Sequence, residues 1–504
     1  MRTLLLSLIL VFGVVSNSYA FGLQAKVKRT IETSSKTRLV ADTEITITDL
    51  VYAPYSYEES GIDAYCIYEG KQVVVNAADL VGWLDFTAFE SVSDVWLSIL
   101  LVNEDFFKSI KGSGFQYDKR VSLANSVLEY KDAIRGGRYE DPILENYLYS
   151  LLYKILPNNK VLSRPGNLNI MMINSAIANC GVYPDGTIEI TTGLMSLLDS
   201  EDELVAVLAH EMAHYVLDHS IVNSNMIQKK AERAALWGAI ATGVAAIAEG
   251  AMAAKATDDY YVPGGLTNAT AMISTMIAED VVKQYGMKFS QEQESEADMC
   301  ALIILKHLGY NPNALAVALN KLRELTLNDG DISSYFPSSQ HPSLNSRITN
   351  AGTIVELNDI NYKRITSAAA TACAIEYYNN GYYPKAYKWT KRNIDNHCAV
   401  SEDLIINAMS AQALNNNEQS NQRCIELLNL AEKDSPGNIN IYKSKALIYM
   451  RLGDKSNAKL LLIKYADMIE QYIDRHKEFI SKSEYEYLMG QKSWVGETML
   501  RFSL

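Results

Sequence analysis

The chain is short of positive charge. Its 504 residues carry 46 Lys and Arg against 59 Asp and Glu, a net charge of -13. That balance excludes a nucleic-acid-binding surface, which needs clustered cations to displace counterions. Cysteine is scarce as well. The six (Cys66, Cys180, Cys300, Cys373, Cys398, Cys424) show no Cys-x-x-Cys spacing, so zinc held by thiolates is excluded. Either one or two disulfides form among the six, with the last three as the first place to look, or all remain buried thiols. Long apolar runs are also missing. Leu4–Val15 and the uncharged stretch 234–248 both fall short of the roughly 20 apolar residues that a membrane helix needs.

What is present at the N-terminus looks like an export signal. Arg2 supplies a positive start, Leu4–Val15 the apolar run, and Ser18-Tyr19-Ala20 small residues before a cleavage point. Residues 1–20 are therefore expected to be a signal peptide, with an uncleaved anchor as the alternative. No Cys follows the small-residue site, which argues against a lipid anchor there. The stretch 234–248 is rich in Ala and Gly and suits a buried or membrane-apposed helix.

Residues 21–117 alternate apolar and polar positions in short runs, such as Thr43-Glu44-Ile45-Thr46-Ile47-Thr48 and Lys71-Gln72-Val73-Val74-Val75. They predict a small β-rich domain, of SH3-like type. From about 118 the period becomes helical, with Leu144, Leu148, Leu151, Leu152 and Ile155 on one face. Asn169–Ile173 and Thr187–Thr191 predict two strands around a turn at Pro184-Asp185-Gly186. Beyond 360 strand patterns vanish. Turn signals at Gly381, Asn417 and Gly453 recur every 36 residues, each followed by a small residue, Ala386, Cys424 and Ala458. That period resembles tetratricopeptide repeats, with a plain helical bundle as the alternative. Either serves peptide or partner binding.

Two of only seven histidines fall in His210-Glu211-Met212-Ala213-His214, within a helical stretch that Ser200 and Glu203 can cap. Residues four apart share a helix face, about 6 Å apart along the axis. Two such imidazoles can hold one zinc ion and leave a position open for water, with Glu211 turned toward that water as general base. The competing reading is a core helix with two satisfied histidines. A third ligand is sought downstream. In Glu294-Ser295-Glu296-Ala297-Asp298, after a cap at Ser290 and Gln293, Glu294 and Asp298 share a face. Glu296 lies about 200° from Glu294. Glu294 is thus the candidate ligand, and Asp298 an acceptor for the far nitrogen of a ligand histidine. A solvated acidic face is the alternative for this segment taken alone.

Together these residues resemble the HtpX/BepA/Oma-type zinc endopeptidases, family forty-eight of the metallopeptidases. Asn179, the Gly186 turn, Thr192-Gly193-Leu194 and His341-Pro342-Ser343-Leu344-Asn345-Ser346-Arg347 resemble further elements of that family, over roughly 118–355. Cys180 and Gly181 depart from its small apolar residues. The layout is most similar to periplasmic BepA-type members. The resemblance implies an α+β, mostly α-helical chain. A zincin-like metallopeptidase domain with a small sheet (118–360) would follow the β-rich domain and precede a helical repeat-like domain (361–504). It implies one zinc per chain on His210, His214 and Glu294, and peptide hydrolysis with Glu211 as base. His341 and Arg347 would approach the active site, as oxyanion donors or, for His341, as a cover over the zinc. His219, five residues past His214, reads as structural. The expected partners are unfolded envelope proteins as substrates and outer-membrane assembly partners, with peripheral membrane contact through 234–248. The alternative function is a chaperone or assembly factor acting through the tail.

Overall fold

The computed structural model describes residues 22–52, 61–113, 137–157, 168–226, 289–328, 344–415 and 417–502. The signal-peptide segment, the stretch 234–248 and His341 lie outside the described residues.

The alternating N-terminal segment forms an antiparallel sheet. Its strands are β1 (Leu23–Val27), β4 (Glu44–Tyr52), β5 (Ile62–Tyr68), β6 (Lys71–Asn76) and β7 (Leu84–Ala88), in the order β6-β5-β4-β1-β7. A short hairpin, β2 (Ile31–Glu32) and β3 (Arg38–Leu39), joins β1 to β4. One face is buried, as period-two patterning requires. In β4 the buried set runs Ile45, Ile47, then Leu50, Tyr52. The change of phase falls at an irregularity in the register between Ile47 and Asp49, where an extra residue turns the following side chains over.

The strand-like reading of the whole segment to 117 is corrected beyond Glu90. Residues Val92–Val102 form α1 and Glu104–Ser113 form α2. Ser91 and Asp94 make a reciprocal capping box that starts α1. The run Val95 to Leu101 is buried on every side, so it has no polar face from which a period could be read. Trp96 is fully buried, and its Nε1 donates to Ile155 O at 2.8 Å. That bond ties α1 to the end of α3 (Pro142–Ile155), which Asp141 caps and whose Leu144, Leu148, Leu151, Leu152 and Ile155 are buried as expected.

The second sheet has three strands, β8 (Asn169–Ile173), β9 (Cys180–Val182) and β10 (Thr187–Thr191), in the order β8-β10-β9. The expected pair of strands around the Pro184–Gly186 turn is corrected. β8 and β10 are parallel, and the turn joins β10 to the antiparallel edge strand β9. α4 (Thr192–Leu197) follows directly. Then α5 (Glu201–Val216) runs through the centre of the body, buried from Glu203 onward. Ser200 Oγ accepts from Glu203 N, and the Glu203 carboxylate takes Asp199 N. Glu203 is itself fully buried against Lys321 at 2.8 Å. α6 (Gln291–Leu308), α7 (Ala314–Asn328) and α8 (Leu344–Ala351) complete the body, with α6 and α7 packed on α5.

The tail opens with the short α9 (Ile360–Ile365). Three helix pairs follow: α10 (Ser367–Asn379) with α11 (Tyr383–Asp395), α12 (Ser401–Leu414) with α13 (Glu418–Asp434), and α14 (Ile439–Arg451) with α15 (Lys455–His476). α16 (Lys482–Phe502) ends the chain's described part. Gly381 and Gly453 take left-handed conformations in their turns, and Asn417 caps α13. Ala386, Cys424 and Ala458 are fully buried where the paired helices meet. All six cysteines are free thiols.

Gly193 lets two backbones touch. Its N–H donates to Ser175 O at 2.7 Å, and a Cβ there would lie 2.5 Å from the carbonyl carbon and oxygen of Ala176. Both obstacles are main chain, so neither yields cheaply. Gly193→Ala is expected to destabilise the chain by about 1–3 kcal/mol. Thermal unfolding checks this, and a midpoint equal to wild type would show that the 175–177 segment moves freely.

Candidate metal centre

Helix α5 ends in two imidazoles facing each other. His210 Nε2 and His214 Nε2 are 3.1 Å apart. From α6, Glu294 sets Oε2 at 3.5 Å from His210 Nε2 and Oε1 at 3.5 Å from His214 Nε2. One ligand atom from each residue lies within 4.8 Å of the others, and all three residues are buried. A tetrahedral zinc ion with nitrogen ligands at about 2.05 Å holds those nitrogens about 3.3 Å apart. The observed spacing fits that value, and two nitrogens with one carboxylate leave a fourth position open, as catalytic zinc requires.

The expected neighbours fall around this cluster. Asp298 Oδ1 is 2.9 Å from His210 Nδ1, the nitrogen that faces away from the pocket. Arg347, buried on α8, donates through Nε and Nη2 to the two oxygens of Asp298, each at 2.7 Å. Its Nη1 pairs with Glu294 Oε2, and its Nη2 lies 3.5 Å from His210 Nε2. Arg347 thus bridges the two carboxylates. Glu211 is buried beside His210 on α5, and its charge acts on both Arg347 and the Cys180 thiol. Burial first, then Glu211 and Glu189, push the Cys180 thiol well above its usual range, so it stays protonated. Cys180 belongs to β9, the sheet edge that packs against α5.

The electrostatics favour a cation in the pocket. Burial alone would lower the His210 pKa. Hydrogen bonds with Asp298 and Glu294 outweigh it and push the value up to about 9. Asp298 shows the complement: burial raises it, but Arg347 and His210 hold it below the ordinary carboxylate value.

Four residues with a place beside the site were not assigned one from the sequence: His219, Glu296, Asn103 and Phe289. His219 Nδ1 lies 2.8 Å from His214 Nδ1, and His219 Nε2 lies 3.1 Å from Glu296 Oε2. His219 keeps away from the three-atom cluster, as its spacing suggested, yet it touches a member of it. α5 ends at Val216 with Leu217 as its cap, Asp218 takes a left-handed conformation, and the turn there brings His219 beside His214. Asp tolerates that conformation, but without a Gly the turn leaves little trace in the sequence. Glu296 is not a solvated side chain either. It accepts from His219 and from Asn103 Nδ2 at the end of α1, and these bonds outweigh burial to hold its carboxylate below the usual value. Phe289 stacks on the His214 ring, with centroids 3.7 Å apart and planes at 19°.

Comparison with known proteins agrees with this geometry. Residues 144–355 match peptidase family M48. The beta-barrel assembly-enhancing protease of Escherichia coli K12 is 24% identical over 294 residues, 56% of this chain and 55% of that protein. Metalloprotease LoiP of the same organism is 30% identical over 185 residues, 37% of this chain and 61% of LoiP. The mitochondrial metalloendopeptidase OMA1 of Schizosaccharomyces pombe is 25% identical over 223 residues, 44% of this chain and 56% of OMA1. The chain thus spans little more than half the length of the relatives it matches. The match contains α5, α6 and α8, and with them every residue of the buried cluster. Residues 144–355 are a metallopeptidase domain of family M48, of the type found in the assembly-enhancing protease and OMA1.

Proposed function

We propose that the chain is a zinc-dependent endopeptidase of the cell envelope that hydrolyses peptide bonds in unfolded or misassembled proteins. The observation that carries this reading is the buried set of His210, His214 and Glu294, with Glu211 one residue along the same helix. Zinc bound there lowers the pKa of water and polarises a scissile carbonyl. Glu211 accepts the proton of the attacking water and passes it to the leaving amine. Arg347 places positive charge beside the pocket, where negative charge develops on the substrate oxygen, and His341 is the second candidate for that task. Asp298 holds the His210 ring through Nδ1. The edge strand β9 lies against α5, and an extended peptide added to it would pass along the metal helix.

Export to the periplasm or cell envelope is supported by the signal-like residues 1–20 and by the relatives named for β-barrel assembly. Among the described residues, no helix is long and apolar enough to cross a membrane. The three helix pairs of the tail support a second reading, in which binding of assembly partners dominates and cleavage is occasional.

Glu211→Gln separates the two readings. The variant is expected to keep one zinc per chain and to lose cleavage of an unfolded protein substrate by at least about a thousandfold. Equal cleavage by both proteins would remove Glu211 from the mechanism. Zinc in both with cleavage in neither would favour the binding reading. Metal loading is also expected to depend on pH. With its pKa near 9 in the metal-free chain, His210 is protonated at pH 7.5 and must release that proton to become a ligand. Zinc affinity should therefore rise about tenfold per pH unit up to about 9. Titration calorimetry at pH 7.5 in buffers of different ionisation enthalpy should report about one proton released. Heats independent of buffer would contradict the assignment.

A further inference from the structure

A histidine binds a metal through one ring nitrogen only if that nitrogen holds a lone pair and the proton sits on the other. His210 meets the condition simply, because its Nδ1 faces the Asp298 carboxylate, which can only accept. His214 is less simple. Its pocket-facing atom is Nε2, and its Nδ1 faces another imidazole nitrogen, His219 Nδ1, at 2.8 Å. Two imidazole nitrogens at that distance share one proton, and nothing in the pair says which ring owns it. If His219 owned it, His214 would carry its own proton on Nε2, pointing into the pocket, and could not be a ligand.

The far side of His219 decides the question. Its Nε2 lies 3.1 Å from Glu296 Oε2. A carboxylate accepts and does not donate, so the His219 proton sits on Nε2. The His219 lone pair is then at Nδ1, where it accepts from His214 Nδ1–H. That leaves the lone pair of His214 Nε2 aimed at His210 and Glu294. Glu296 is itself held from outside the peptidase body's central helices, because Asn103 Nδ2 at the end of α1 donates to its other oxygen. Phe289, stacked on His214, keeps the ring in the plane that this chain of bonds needs.

We propose that His219, Glu296 and Asn103 form a one-way hydrogen-bond relay that sets the tautomer of His214 and so makes it a metal ligand. His219 and Glu296 are positioning residues: neither reaches the three-atom cluster. The inference rests on the proposed metal site of His210, His214 and Glu294. It also gives the N-terminal region a task at the site, since α1 supplies the outermost donor. One helix, α6, provides the pocket carboxylate Glu294 and the acceptors behind both ligand histidines: Asp298 directly, and Glu296 through His219.

The test uses the full chain, with the ring nitrogens of its histidines labelled with nitrogen-15. In metal-free wild type, long-range proton–nitrogen NMR should show His214 protonated on Nδ1 and His219 on Nε2. Zinc affinity is then measured by competition with a chromophoric chelator, for wild type and for the isosteric Glu296→Gln. The amide can donate to His219 as well as accept, which removes the constraint on the relay. Zinc binding should weaken about 10- to 100-fold, and His214 should shift toward protonation on Nε2. The unfolding midpoint of the metal-free variant should stay near that of wild type, because Gln keeps the size of Glu296, can still accept from Asn103, and replaces a side chain that is 26% exposed. Equal zinc affinity in the two proteins overturns the relay and leaves the metal site standing. A His214 proton on Nε2 in wild type does the same, and needs no variant to fold. Failure of wild type to bind zinc overturns both proposals.

Discussion

One buried carboxylate imposes its needs on the rest of this structure. Glu294 has no solvent exposure and sits between two imidazoles. An ionised carboxylate is tolerated in such a place only if positive charge and hydrogen bonds surround it. Arg347 and a protonated His210 provide them in the metal-free chain, and a divalent cation does so more completely. Arg347 in turn would be a buried charge without Asp298, and Asp298 would be one without Arg347 and His210. The set is balanced only when α5, α6 and α8 are all in place. Removing any one member leaves a partner charged and dry, so the cluster links the three helices as strictly as any apolar contact.

The scaffold meets that demand by burying α5 on all faces. Its start is fixed by Ser200 and by Lys321, which reaches Glu203 at 2.8 Å and Asp199 at 2.6 Å. Its far end is met by the N-terminal sheet, where Tyr52 Oη on β4 donates to the buried Asp218. Burial pushes the Asp218 carboxyl well above its ordinary range. The β-rich region is therefore joined to the metal helix through Tyr52 and to the relay behind His214 through Asn103.

How much of this could be read in advance follows from the range of each interaction. His210 and His214, or Glu294 and Asp298, are one helical turn apart, so a period of 3.6 places them without knowledge of the fold. The caps at Ser200 and Ser290 are equally local. The sheet alternation survived even the irregularity at Thr48, because both halves of β4 keep period two. What escaped depends on tertiary encounters. The α1 run is apolar all round and reads alike as buried strand or buried helix. The parallel pairing of β8 with β10 is set by a connection, not by either strand. Glu296 points about 200° from Glu294, and rotation alone correctly removes it from the pocket. Only the turn at Asp218 puts a histidine where Glu296 does point.

The tail raises the question of where chemistry ends and partner binding begins. A boundary near 360 is natural in the sequence, because strand patterns stop there. Packing draws the line later. Tyr362 is buried and donates to Met195 O at 2.7 Å, and the apolar core of the peptidase body continues through Ala369, Cys373, Ala386 and Trp389. The first helix pair also grips the segment leading into β9. Glu376 accepts from Ala176 N at 2.8 Å, and Tyr377 Oη donates to Ala176 O at 3.1 Å. On its other side the same segment is held by Thr191, Thr192 and Gly193 at the start of α4. Burial pushes the Glu376 carboxyl up to about 7, a cost that the Ala176 N–H partly offsets. A half-buried carboxyl whose hydrogen bond is to main chain fixes a position, and the position fixed is that of the segment leading into the sheet edge beside the metal helix. The first helix pair therefore belongs with the catalytic body. Separate small cores appear only from Ile405 onward, around Leu428 and then around Tyr465. Those later pairs pack on cores of their own, apart from the one that surrounds the metal helix.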